Sequence, residues 1–141
     1  MIWRPAYWAD ITAVMADLSD QHRSEYAKFG YPGAGFDVWL QAAYSCAVAH
    51  CLAFDGRPQA FFLIDTSHGR NMCCFGATKK AFERHHGMTR AGRKHLRRMT
   101  YWHGPLTAIT ASDHPMADRW IKLLGFNFVE QVGDSRVFSY A

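Results

Sequence analysis

No stretch of this sequence reaches the roughly 18 uninterrupted apolar residues that a membrane-spanning helix needs. The longest apolar run, Cys46 to Phe54, is broken by His50 and suits a core strand. The opening residues Met1-Ile2-Trp3-Arg4-Pro5 lack the apolar stretch and small-residue cleavage site of a secretory signal, so the expectation is a protein that is not secreted. Cysteine is sparse: Cys46, Cys51, Cys73 and Cys74 form no CxxC pair. Cys73 and Cys74 are adjacent and would face opposite sides of a strand. They read as reduced thiols of a core, not as a disulfide framework or a zinc site. None of the eight histidines has HExxH or CxxC-HxxxH spacing, so no metal is expected. Internal repeats and low-complexity tracts are missing as well.

What is present is the material of one folded unit. The 141 residues are 49% hydrophobic and 15% aromatic, enough apolar surface for a single core over residues 1–141. The formal charge of +4 suggests a polyanionic partner until its distribution is read. Between Lys79 and Arg98 stand eight Lys and Arg against Glu83 alone, a net of +7, whereas the other 121 residues carry eight basic and eleven acidic residues, a net of −3. One segment is basic; the rest is mildly acidic. That pattern places any anionic partner on one segment, and nucleic acid ranks last as a primary partner because the basic segment lacks a paired helix-turn-helix or zinc-finger context.

Periodicity gives the elements. Trp3 to Ala6 reads as an entry strand. Asp10 to Leu18 is helical, with Ile11, Val14, Met15 and Leu18 at i, i+3, i+4, i+7 and Asp10 as N-cap. A polar helix follows over Asp20 to Phe29, a breaker loop over Gly30 to Gly35, and a run capped by Asp37 through Trp39, Leu40 and Ala43. Cys46 to Phe54 and Gln59 to Ile64 form a hairpin about Asp55-Gly56, the pair that a type I′ turn prefers. After a turn over Ser67 to Arg70 come a strand over Asn71 to Thr78, a loop, and a helix from Met88 to Tyr101. Then follow a strand Leu106 to Ala111, a helix Pro115 to Leu124 stopped by Gly125, and a hairpin of Phe126 to Val132 with Arg136 to Tyr140. The layout is α+β: one mixed, twisted sheet of six to seven strands flanked by helices.

Thr107-Ala108-Ile109-Thr110-Ala111-Ser112, with Ala117-Asp118-Arg119-Trp120-Ile121-Lys122-Leu123-Leu124-Gly125-Phe126, resembles the strand, helix and Leu-Gly-Phe ending of the GNAT acetyltransferases. The resemblance implies an acetyl-CoA site. Its phosphate loop would be Arg84-His85-His86-Gly87-Met88-Thr89-Arg90-Ala91, and the pantetheine would lie along Phe75-Gly76-Ala77. Physically, a glycine followed by a helix start aims unpaired N–H groups and a positive dipole end at one point, which suits a pyrophosphate. Arg84, Arg90 and Arg93 would add bidentate donors. Thr89 stands where the family has Gly or Ala and would crowd the phosphates.

The resemblance also has gaps. The family's tyrosine acid, four residues before the glycine, is here Ile121, and the central strands Met72 to Thr78 and Leu106 to Ser112 hold no carboxylate to serve as base. Asp65, Asp113 and His114 are the candidates left, Asp113 and His114 as a water-assisted shuttle. Arg119-Trp120-Ile121-Lys122 and the basic helix Arg90 to Arg98 further resemble the GNAT-like internal virion proteins of short-tailed phages. That likeness implies a virion or assembly component, in the particle or the host cytoplasm, with other virion proteins as partners and degenerate or absent catalysis. The alternative is an acetyl-CoA-dependent N-acetyltransferase acting on an amine of a small molecule or a protein. Of the tryptophans Trp3, Trp8, Trp39, Trp102 and Trp120, most would be core and one or two exposed as interface anchors.

Overall fold

A computed structural model describes residues 1–28, 40, 41, 43–45, 47–66 and 69–140. Seven strands form one sheet in the order β1-β2-β3-β4-β5-β7-β6. They are β1 (Ile2–Pro5), β2 (Ala47–Phe54), β3 (Arg57–Asp65), β4 (Asn71–Ala77), β5 (Leu106–Thr110), β6 (Asn127–Val132) and β7 (Ser135–Tyr140). The helices used below are α1 (Trp8–Ala16), α2 (Asp20–Lys28), α3 (Lys79–Glu83), α4 (His85–His103) and α5 (Ala117–Leu124), and residues 40, 41 and 43–45 are helical as well. The breaker loop over Gly30 to Gly35, Asp37, Trp39 and Cys46 lie outside the described residues.

The hairpin signals hold: Asp55 and Gly56 both take positive φ, as a type I′ turn demands, and join β2 to β3. Alternation along the strands builds two cores. Phe61 and Leu63 face α1, where Ile11, Val14 and Leu18 complete the layer with Cys51. Phe62 and Ile64 face α4 and α5 and pack with Leu96, Met99, Leu124 and Phe138. Cys73 and Cys74 divide between these faces as adjacent strand residues must. All three cysteines described, Cys51 among them, are free thiols.

Two boundaries differ from the periodicity. Helix α1 starts at Trp8, with Tyr7 as N-cap; Asp10 is its third residue and accepts the Tyr7 N–H at 2.8 Å. The same carboxylate receives both Arg4 guanidinium nitrogens, at 2.8 and 2.9 Å, which holds it below the usual carboxylate range. The segment expected to be a loop before Met88 is helical instead. Thr78 caps α3 by accepting the Ala81 N–H, Arg84 breaks the helix, and α4 restarts at His85. Gly87 has an ordinary helical conformation in the first turn of α4, and its missing Cβ leaves room for the end of the Met1 side chain.

Among the described residues the only parallel pair joins β4 to β5, and it is short: Asn71 faces Leu106, Met72 faces Thr107, and Cys73 faces Ala108. Beyond that point the strands part. Helix α2 and the link before it are the wedge. Leu18 bridges Thr78, and the Ser19 N–H donates to the Ala77 carbonyl at 3.0 Å, occupying the end of β4. Glu25 Oε1 accepts the Thr110 hydroxyl at 2.7 Å and the Ala111 N–H at 3.1 Å, occupying the end of β5.

Candidate functional site

The parting of β4 and β5 leaves a slot of about 420 Å³ through the sheet, open toward both cores. It is largely apolar. Among its lining residues are two carboxylates, Glu25 and Asp65, and no Lys or Arg. Both act on Cys74: burial first, then these two charges, push its thiol up to about 12, so it stays protonated. Cys73 is pushed up by burial in the same way.

Outside the slot, between α4 and α5, lies a groove of about 1170 Å³ with the opposite character. Arg90, Arg93, Lys94, Arg97 and Arg119 line it with His85, His86 and His114, and no carboxylate does. The amides of His85, His86 and Gly87 open α4 ahead of its first intrahelical bond, Met88 N–H to the Arg84 carbonyl at 3.0 Å. The groove thus combines a helix N-terminus with five permanent cations.

The two spaces share a wall, because Phe82 and Trp120 line both. Four aromatic rings close on one another there. Trp120 lies 5.2 Å from Phe75, Phe75 lies 5.6 Å from His22, His22 lies 5.4 Å from Phe82, and Phe82 lies 6.3 Å from Trp120. They come from α5, β4, α2 and α3, so the cluster ties both faces of the sheet at the slot. His22 is only 7% exposed, and desolvation lowers its pKa to about 4, opposed by the bond that its ring donates to the Ala77 backbone carbonyl, leaving a neutral ring. Trp120 is fixed by donating Nε1–H to Thr89 Oγ1 at 2.9 Å.

The residues singled out from sequence fall into place unevenly. Phe75 and Met88 line the slot, and Arg90 lines the groove. The hydroxyl of Thr89 points at Trp120 and, as a donor, at the His85 carbonyl. Ala77 is fully buried, and the Ala91 carbonyl accepts the Trp3 indole N–H at 3.1 Å. Arg84 is engaged elsewhere: it pairs with Asp55 at 3.1 Å and sits 5.1 Å from the centre of the Phe54 ring. Asp113 is exposed in the turn after β5. His114 lines the groove, its Nδ1 accepting the Met116 N–H. Ile121 lines the slot, so the position of the family's acid carries an aliphatic side chain. Glu25 and His22 went unnoticed because each reaches the site over a long sequence separation from an otherwise polar helix.

Among the described residues no group of three or more His, Cys, Asp or Glu could hold a metal ion, and no helix is long and apolar enough to cross a membrane. No protein-family model and no curated sequence matches this chain. Solved structures do. The ribosomal-protein-S18-alanine N-acetyltransferase of Escherichia coli is 14% identical with TM-score 0.70, covering 99% of this chain and 92% of its own. The PaiA N-acetyltransferase of Thermoplasma acidophilum, solved in complex with coenzyme A, is 10% identical with TM-score 0.69, covering 99% and 97%. The GNAT domain of S. lividans PAT is 15% identical with TM-score 0.67, covering 98% and 88%. At these identities the likeness is one of architecture, and this chain has the GNAT acetyltransferase fold.

Proposed function

We propose that the chain is an acyl-CoA-dependent N-acyltransferase, with acetyl-CoA as donor and an amine as acceptor. The observation that carries this reading is the adjacency of two spaces of opposite charge across Phe82 and Trp120. A thioester of coenzyme A is anionic at one end and apolar toward its reactive carbon. The groove offers Arg90, Arg93, Lys94, Arg97 and Arg119 to its phosphates, with the first amides of α4, and the slot accepts an apolar arm beside Phe75. When bound, it would supply the activated acyl group.

The chain's own part begins with the acceptor. Glu25 and Asp65 make the slot attractive to a cationic amine, which must lose a proton before it becomes a nucleophile. Glu25 Oε1, oriented by Thr110 and the Ala111 amide, would take that proton. His114 in the groove and its neighbour Asp113 would carry protons between the site and solvent. The four-ring wall and the largely apolar lining lower the local dielectric, which strengthens charge interactions inside the slot.

Incubation with acetyl-CoA and a panel of primary amines, following free thiol release, tests the reading. Amine-dependent release supports it, and release no faster than the buffer control with every amine refutes it.

A second reading, a virion or assembly component of phage type without obligatory catalysis, draws on Ile121, which removes the tyrosine acid. It predicts no thiol release, and the protein would be found in purified particles.

A further inference from the structure

We infer that the exposed face of α4 is a docking surface for single-stranded nucleic acid. The basic segment divides in two. Its first cations are neutralised: Lys79 pairs with Asp20, and Lys80 and Arg84 both pair with Asp55. From Arg90 onward the pairing stops. Arg90, Arg93, Lys94, Arg97 and Arg98 are exposed, and none of them forms an ion pair with a described residue. A row of uncompensated cations on one rigid helix repels itself unless a polyanion lies against it.

The row ends on two aromatic side chains that no core claims. Tyr101 is 83% exposed and Trp102 71%, and their rings meet edge to face at 5.5 Å. Arg90, Arg93, Lys94, Arg97 and Tyr101 recur at i, i+3, i+4, i+7 and i+11, on the face opposite the buried Met88, Leu96 and Met99. From Arg90 to Tyr101 that stripe is about 16 Å long at about 1.5 Å per residue, enough for about five nucleotides at the stacked spacing of about 3.4 Å. Cations tracking a backbone, with aromatic faces beside them for bases, are the two components of single-strand binding. A duplex hides its base faces, and an acidic protein, which could also seat the two rings, is the partner that competition by polyglutamate would reveal. The stripe shares Arg90, Arg93, Lys94 and Arg97 with the groove, so a strand and a thioester would compete there; Arg98, Tyr101 and Trp102 lie outside both the groove and the slot, and changes at these three residues report on strand binding alone.

The test is fluorescence anisotropy of a labelled oligo-dT of about 15 nucleotides, titrated with the full chain at several salt concentrations. We expect saturable binding whose log–log salt slope is about −3, as four to five phosphate contacts at about −0.7 each require. Trp102→Ala should weaken binding at least about fivefold, with Trp102→Phe restoring most of it, since base stacking on one ring is worth at least that. Arg98→Glu should make the slope shallower. Polyglutamate should compete poorly. Absence of binding at low salt overturns the inference. So does binding that is insensitive to Trp102→Ala while polyglutamate competes equally, which would mark an acidic protein as the partner. Thermal unfolding of the variants, all at exposed positions, should match the parent.

Discussion

The Trp120 indole donates to Thr89 Oγ1 at 2.9 Å, and the same oxygen donates to the His85 carbonyl at 2.7 Å. One hydroxyl thus fastens α5 to the first turns of α4 and fixes the ring that divides groove from slot. Thr89→Val keeps the shape and deletes the acceptor, leaving a half-buried indole N–H without a partner. The expected loss is about 1–2 kcal/mol in urea unfolding, with Thr89→Ser close to the parent. Equal stability of the Val variant would show that this bond does not hold the wall.

Glu25→Gln keeps an oxygen for Thr110 and Ala111 but cannot take a proton. If Glu25 is the base, acyl transfer should fall about 10²–10⁴-fold while acetyl-CoA affinity stays at the parent value. Unchanged turnover would move the base elsewhere, with Asp65 next in line.

Stability should decline on mild acidification. Burial depresses the His22 pKa to about 4 in the folded protein, against about 6.5 when unfolded. Below about pH 6.5 the unfolded chain binds a proton that the folded one refuses, so stability present at pH 7 is lost as pH falls. Between pH 6.5 and 5, before most carboxylates titrate, the loss from this residue is about 2 kcal/mol. Denaturant unfolding across that range should show the slope, and His22→Gln should remove its share, leaving the share of His95 and His50, whose pKa values burial also lowers. A slope identical in parent and variant would contradict a neutral buried His22.

Gly125 ends α5 with φ +113°, and a Cβ there would lie 2.5 Å from Tyr140 Cε2. Gly125→Ala combines left-handed strain with a clash against β7. It should cost about 2–3 kcal/mol, read as a lowered melting temperature. A melting temperature at the parent value would mean that Tyr140 yields freely.

The parts legible in the sequence were those with short-range causes. Asp55-Gly56 set the hairpin, Gly125 stopped α5, and the spacing of Ile11, Val14 and Leu18 marked the face of α1. The restart of the helix at His85 was hidden by Gly87 and two histidines of modest helix propensity, although Thr78 as a cap three residues before Ala81 was a usable signal for α3. Of the residues that the resemblance singled out, Thr89 and Arg90 line the basic groove. The resemblance could not supply Glu25, whose contact with Thr110 spans 85 positions of sequence and exists only once α2 has wedged β4 from β5. Nor could net charge reveal that Arg84 is spent on Asp55 while Arg98 stays unpaired.

If one ligand spans the basic groove and the acidic slot, calorimetric titration with acetyl-CoA will detect it. The parent should bind saturably at one site, and Arg93→Glu, which reverses a groove charge without touching the core, should weaken binding at least about tenfold, the cost of about 1.4 kcal/mol. No heat and no thermal shift at millimolar acetyl-CoA, or equal affinity in parent and Arg93→Glu, would contradict a single spanning ligand.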